Sequence, residues 1–186
     1  GIHLTTGVSP DLAMFGKAMG NGYAITAIIG KRKVMKAAEK SFISSTFWTE
    51  RVGFVAANKT LELMERTKSY EKVIANGKYI NQKWKDLANK YQIDIDISGI
   101  ESITSFSFKK NNLLYKTYIT QEMLKKGFLA SNLIYLSTKH TKAIVDKYII
   151  SLDKVFKKIK EHMTSKKQIK LLQGPISHTT FKRLND

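Results

Sequence analysis

The chain has 186 residues, 42% of them apolar and 10% aromatic, which is enough to build a core and unlike a disordered composition. It has no cysteine, which excludes a disulfide framework and a thiolate metal site and fits a reducing compartment. The formal charge is +17, but all basic residues except Arg32, Arg51, Arg66 and Arg183 are lysines. Arginine is preferred for bidentate phosphate and base contacts, so the charge reads as solvated lysine rather than a nucleic-acid surface.

In chain order, Ser9-Pro10-Asp11 is a turn and a helix start. "AITAIIG", Ala24 to Gly30, has strand length, β-branched content and apolar residues on both faces, which predicts a central strand of a covered sheet. Lys31 to Lys40 reads as a short helix, and "FISSTFWTE" as a loop rich in hydroxyls and aromatics. From Val52 the pattern is helical, with Val52, Val55, Ala56, Leu61 and Met64 on one face. A second helix carries Tyr70, Val73, Ile74, Ile80, Trp84, Leu87 and Tyr91.

The period then drops to two. "IDIDIS" alternates from Ile93, and "ITSFSF" puts Thr104, Phe106 and Phe108 on one side, which predicts half-buried strands with one wet face. Asp94 and Asp96 alternate with isoleucine and so read as a solvent face rather than paired catalytic carboxylates. A helix from about Tyr115 to Lys126 turns Tyr115, Tyr118, Ile119 and Met123 inward, with Gly127 at its C′ position. Short strands are expected at Phe128–Ala130 and Ile134–Ser137. The last helix, near Thr141 to Met163, has Ile144, Tyr148, Leu152, Val155 and Ile159 on one stripe, followed by a basic linker and a tail.

No apolar run approaches the ~20 residues needed to span a bilayer. The four histidines, His3, His140, His162 and His178, show no ligand spacing, and no metal site is expected. Lys17 has two readings. It is one of many surface lysines, or it is a lysine held in a site for Schiff-base chemistry, where Gly16, Ala18, Gly20 and Gly22 let another molecule approach the backbone.

The segment "SPDLAMFGKAMGNGYAITAIIGKRKVM" resembles the cofactor-lysine region of class III pyridoxal-phosphate aminotransferases, in the glutamate-1-semialdehyde aminomutase-like group. "SSTFWTERVGFVAANKTLELME" resembles that family's Gly-Thr loop and the long helix after it. "EMLKKGFLAS" and "IYLSTKHT" resemble its C-terminal domain, and the tail resembles an extension found in some members. The similarity runs from about Ser9 to His162.

The resemblance implies an α/β fold, that of the fold-type I pyridoxal-phosphate transferases. Residues 1–66 would be the C-terminal part of the cofactor-binding large domain with its connecting helix. Residues 67–163 would be the small α+β domain, and residues 164–186 a basic linker and extension. Lys17 would carry pyridoxal 5'-phosphate as a Schiff base and serve as the proton-moving base at the substrate carbon. Ser45 and Thr46 match the loop that binds the cofactor phosphate, a loop that in this family reaches across a homodimer interface.

Many relatives read Gly-Thr-x-x-Gly-Asn-Pro where this chain reads Ser45-Thr46-Phe47-Trp48-Thr49-Glu50-Arg51. Trp48, Glu50 and Arg51 are therefore substrate candidates, with plain packing and pairing as the alternative. The family's acid for the pyridine nitrogen, its main phosphate turn and its ring-stacking aromatic lie upstream of the matched segment. The chain thus resembles the C-terminal part of a longer enzyme and is expected to be inactive alone.

The function expected is a cytoplasmic, homodimeric aminotransferase moving an amino group between a small amino compound and a carbonyl acceptor. The alternatives are a glutamate-1-semialdehyde-type aminomutase and a non-catalytic basic binding module. No membrane partner is expected.

Overall fold

The computed structural model describes residues 1–44, 46, 49–165 and 169–178, and these divide into two units, one over Gly1–Ser69 and the other from Tyr70 onward. In the first unit, a single helical turn α1 (His3–Thr6) leads to strand β1 (Leu12–Phe15). After a 3-10 turn (Lys17–Met19), strand β2 (Ala27–Gly30) pairs antiparallel with β1, with Leu12 opposite Gly30 and Phe15 opposite Ala27. Pro10 therefore precedes a strand, not a helix. Leu12, Ala13, Met14 and Phe15 take the extended backbone because β2 offers them a hydrogen-bonding partner.

The strand expected over Ala24–Gly30 is shorter, Ala27–Gly30, and among the described residues it pairs with β1 alone, which leaves Ile28 and Ile29 54% and 56% exposed in this portion of the fold. Lys31–Lys40 splits into α2 (Arg32–Met35) and a 3-10 turn (Lys36–Lys40). Helix α3 (Val52–Thr67) is present, but its inward stripe differs from the expected one. Gly53 and Ala57 are buried and Ala56, Thr60 and Met64 half-buried, while Val52, Val55 and Leu61 are exposed. At Gly53 the reason is close packing, because the Ala24 carbonyl and the Ile25 side chain approach the helix there.

The second unit runs α4 (Ser69–Tyr91), β3 (Ile95–Ile100), β4 (Ile103–Phe108), α5 (Asn112–Leu124), β5 (Leu133–Tyr135) and α6 (Lys142–Thr164). Its sheet is antiparallel in the order β3-β4-β5. The period of two holds: Thr104, Phe106 and Phe108 are buried, and Asp94 and Asp96 are exposed. Phe106 meets Trp84 of α4 edge-on at 4.7 Å between ring centroids and Phe156 of α6 at 5.9 Å, so β4 is the floor on which both long helices sit.

Helix α5 buries Tyr115, Tyr118, Ile119 and Met123 as its spacing predicted. It ends in a Schellman motif, in which Gly127 N–H donates to Leu124 O and Phe128 N–H to Met123 O, with Gly127 at φ +80°. That termination carries residues 128–130 away as irregular chain, so only β5 forms where two short strands were expected.

Thr141 caps α6 by accepting the Ile144 N–H. The inward stripe of α6 is Val145, Tyr148, Leu152, Val155, Phe156 and Ile159, while Ile144 is exposed. At its start the stripe is set by Val145, three residues before Tyr148, rather than by Ile144, four before it. Beyond α6, the segment after residue 168 packs on α5. Gln121 accepts the Gln173 N–H at 2.8 Å and donates to Leu171 O, and Thr117 accepts the Ser177 N–H. Leu172 is buried in the core beside it.

Candidate active site

Lys17 opens the connection between β1 and β2, two residues after Phe15. Its backbone is left-handed, at φ +49°, and its carbonyl accepts the N–H groups of Gly20 and Asn21, both at 3.2 Å. A left-handed lysine costs on the order of 1 kcal/mol, strain of a kind that clusters at functional sites. Two more bonds close the turn, Met19 N–H to Gly16 O and Tyr23 N–H to Gly20 O. Gly20 is buried, and a Cβ there would collide with the Tyr23 carbonyl and come within 2.8 Å of Ile25 Cγ2, so the turn closes only around glycine. Gly22, at φ +108°, has open space where a Cβ would be.

The outcome is an exposed primary amine on a tight, low-bulk turn. Its Nζ makes no hydrogen bond or ion pair with another described residue. Helix α3 packs against this same turn. The loop before α3 holds the other candidates. Thr46 is exposed in a turn, while Ser45 and Trp48 lie outside the described residues. The Glu50 carboxylate accepts the Val52 N–H at 2.7 Å and so satisfies one of the free donors at the start of α3. Arg51 is exposed at the N-cap position. Glu50 thus has a local structural task, which its place in the sequence did not announce. Gly53 was also missed, although a glycine inside a helical pattern is itself a signal of close packing.

A sequence model of the family described as "Aminotransferase class-III" matches residues 2–161. The chain belongs to the class-III aminotransferase family. The sequence resemblance therefore holds over most of this class-III chain, Lys17 included.

Its curated relatives include a 3-aminobutyryl-CoA aminotransferase of Cloacimonas acidaminovorans, 39% identical over 62% of this chain and 28% of the relative. An acetylornithine aminotransferase of Methanocaldococcus jannaschii is 30% identical over 83% of this chain and 39% of its own length. A glutamate-1-semialdehyde 2,1-aminomutase of Methanosphaera stadtmanae is 29% identical, covering 81% and 40%. The chain thus spans well under half the length of the curated relatives it matches.

Among solved structures, FumI of Sphingopyxis sp. MTA144, in its PLP internal aldimine form, superposes with a TM-score of 0.79 at 25% identity, over 88% of this chain and 40% of that one. An S-selective transaminase of Bacillus megaterium shares the fold, with a TM-score of 0.73 at 20% identity. The architecture is that of the C-terminal portion of a fold-type I transferase. No helix among the described residues is long and apolar enough to cross a membrane.

Proposed function

We propose that this chain is the lysine-bearing portion of a pyridoxal-phosphate-dependent aminotransferase that moves an amino group from an amino compound to a carbonyl acceptor. The observation that carries the reading is Lys17: an exposed amine on a strained glycine turn, inside the segment matched by the class-III family. The residues present fit the cofactor. A primary amine suits its aldehyde, the Thr46 hydroxyl suits its phosphate, and the glycines leave the approach to Lys17 open.

When bound, pyridoxal phosphate supplies an aldehyde that takes up amines and a conjugated ring that draws electrons from the substrate carbon. Lys17 Nζ would hold the cofactor through its aldehyde and, when free, would serve as the base that moves a proton at the substrate α-carbon. Thr46 would hold the phosphate, and Glu50 and Arg51 would border the substrate; the companion candidates Ser45 and Trp48 lie outside the described residues.

Residues 1–66 belong in this reading to the large cofactor domain, residues 67–163 to the small domain and residues 164–186 to an extension. The protein works as a cytoplasmic homodimer whose loop at Thr46 serves the partner's site. The resemblance of the Ser45-Thr46 segment to the family's loop supports this assignment.

The test is to incubate the chain with pyridoxal phosphate, reduce with borohydride and map the modified peptides. Lys17 is expected to be labelled ahead of the other lysines, and Lys17→Ala to abolish that preference. Even labelling across the lysines defeats the reading.

A further inference from the structure

The segment after residue 168 reaches α5 at two points, and at each of them α5 reads its backbone. At the first, the Gln121 carboxamide accepts the Gln173 N–H at 2.8 Å and donates to the Leu171 carbonyl at 3.2 Å. It thereby takes the two peptide groups that flank Leu172, as a neighbouring strand would. The Gln121 amide nitrogen also donates to the Glu122 carboxylate at 2.9 Å, which fixes the way round the carboxamide sits, and Lys125 in turn holds Glu122. Leu172, between the two bonds, is buried in the core, and Leu171 packs against that core beside it.

The second point is Thr117, about one helical turn before Gln121 on α5. Thr117 spends its own proton on the Leu113 carbonyl at 2.7 Å. Its oxygen therefore accepts both the Ser177 N–H, at 3.1 Å, and the Ser177 hydroxyl, at 2.8 Å. Between the two anchors the segment stands off. Gln173, Pro175 and Ile176 are exposed, and nothing lies within 4 Å of a Cβ added at Gly174. The segment is thus held as a short peptide ligand is held, by one apolar anchor, one serine and its backbone. Every copy of the chain carries both this seat and the segment that fits it, and exchanging such an element between copies is a low-cost route to association. We propose that the seat on α5 also takes the 171–177 segment of a second copy, so that copies of this chain join tail to helix. This is separate from the cofactor reading of Lys17 and Thr46.

The test uses the 186-residue chain, followed by nuclear magnetic resonance. Two isotope-labelled tail variants keep the seat and weaken the chain's own segment. Leu172→Ala removes the apolar anchor, and Gln173→Pro removes the N–H that Gln121 accepts while leaving the core intact. The Thr117 and Gln121 amide resonances report the seat, and those of α4 report that the unit stays folded. Each variant is titrated with the peptide of residues 169–178, and separately with an unlabelled Gln121→Leu chain, whose seat is damaged and whose segment is intact.

Both additions are expected to move the Thr117 and Gln121 resonances toward their wild-type positions, with half-saturation by the peptide at about 1 mM. A peptide carrying Leu172→Ala binds about tenfold more weakly. The wild-type chain responds about fivefold more weakly, because its own segment competes at an effective concentration on the order of millimolar. The proposal is overturned if both variants, with α4 native, stay unmoved at about 5 mM peptide, or if the peptide's leucine makes no difference. A peptide that binds while the Gln121→Leu chain moves nothing also overturns it, since the seat is then closed to a second copy. Movement that persists when the donor chain carries Leu172→Ala as well would place another surface of the donor on the seat, and that too refutes the tail as occupant. Should Leu172→Ala unfold the unit, Gln173→Pro carries the test.

Discussion

Trp84 donates its indole N–H to the Tyr148 hydroxyl at 3.1 Å, joining α4 to α6 in the dry centre of the second unit. Both side chains are buried, so neither group has water as a substitute partner. Tyr148→Phe is therefore expected to destabilise this unit by about 1–3 kcal/mol, mainly by leaving the indole N–H unpaired. Urea unfolding followed by tryptophan fluorescence measures it. A loss below about 0.5 kcal/mol would mean that the indole finds another acceptor.

The same burial pushes the Tyr148 phenol well above its ordinary range, partly offset by the Trp84 hydrogen bond. Its folded pKa is raised relative to the unfolded chain. Above the unfolded value near 10, the unfolded state therefore releases a proton that the native state keeps. Stability is full below that pH and falls as pH rises through it. Burial raises the Tyr118 phenol in the same direction. Thermal melts between pH 8 and 11 are expected to show this decline, and Tyr148→Phe to make it shallower.

Gly77→Ala reverses the usual sign of a helical glycine substitution. In an open helix it would stabilise by roughly 1 kcal/mol. Here the new methyl would collide with the Glu101 carbonyl at the β3–β4 turn, with Glu101 Cα at 2.9 Å. A loss of about 2 kcal/mol or more is expected from overpacking against backbone. Denaturant midpoints report it, and a gain in midpoint would refute the close approach.

Helix α4 ends like α5, but with glutamine where α5 has glycine. Gln92 is left-handed at φ +51°, with its N–H on Asn89 O and the Ile93 N–H on Ala88 O. Gln92→Gly should relieve strain and raise stability by about 0.5–1 kcal/mol, whereas Gly127→Ala at φ +80° should lower it by a similar amount. Opposite shifts of a few degrees in Tm are the expected signature.

The segment lying on α5 adds to the core through Leu172. Leu172→Ala is expected to cost about 2–3 kcal/mol, and Gln121→Leu, which removes both bonds to the segment's backbone, about 1–2 kcal/mol. Limited proteolysis after α6 should accelerate in both variants. Unchanged cleavage would show that the segment's docking adds little.

Much of the second unit was legible from period alone. Alternation predicted which faces of β4 are wet and dry, and spacings of three and four predicted the inward residues of α5 and most of α6, because burial selects side chains by face. The lysine turn was also visible, since glycine on both sides of a lysine is a local pattern, and the family resemblance suggested a chemistry for it. Tertiary structure decided the rest, and for one reason: close backbone approach has no periodic signature. The stripe of α3 starts at Gly53 rather than at a larger residue because the Ala24 carbonyl and the Ile25 side chain press against the helix there. Ser9-Pro10-Asp11 leads into a strand because β2 supplies the missing hydrogen bonds. Glu50 caps a helix instead of standing free because the chain brings its carboxylate back to the Val52 N–H. Composition and spacing say which residues are to be buried or reactive; which backbone they meet is known only once the chain is folded.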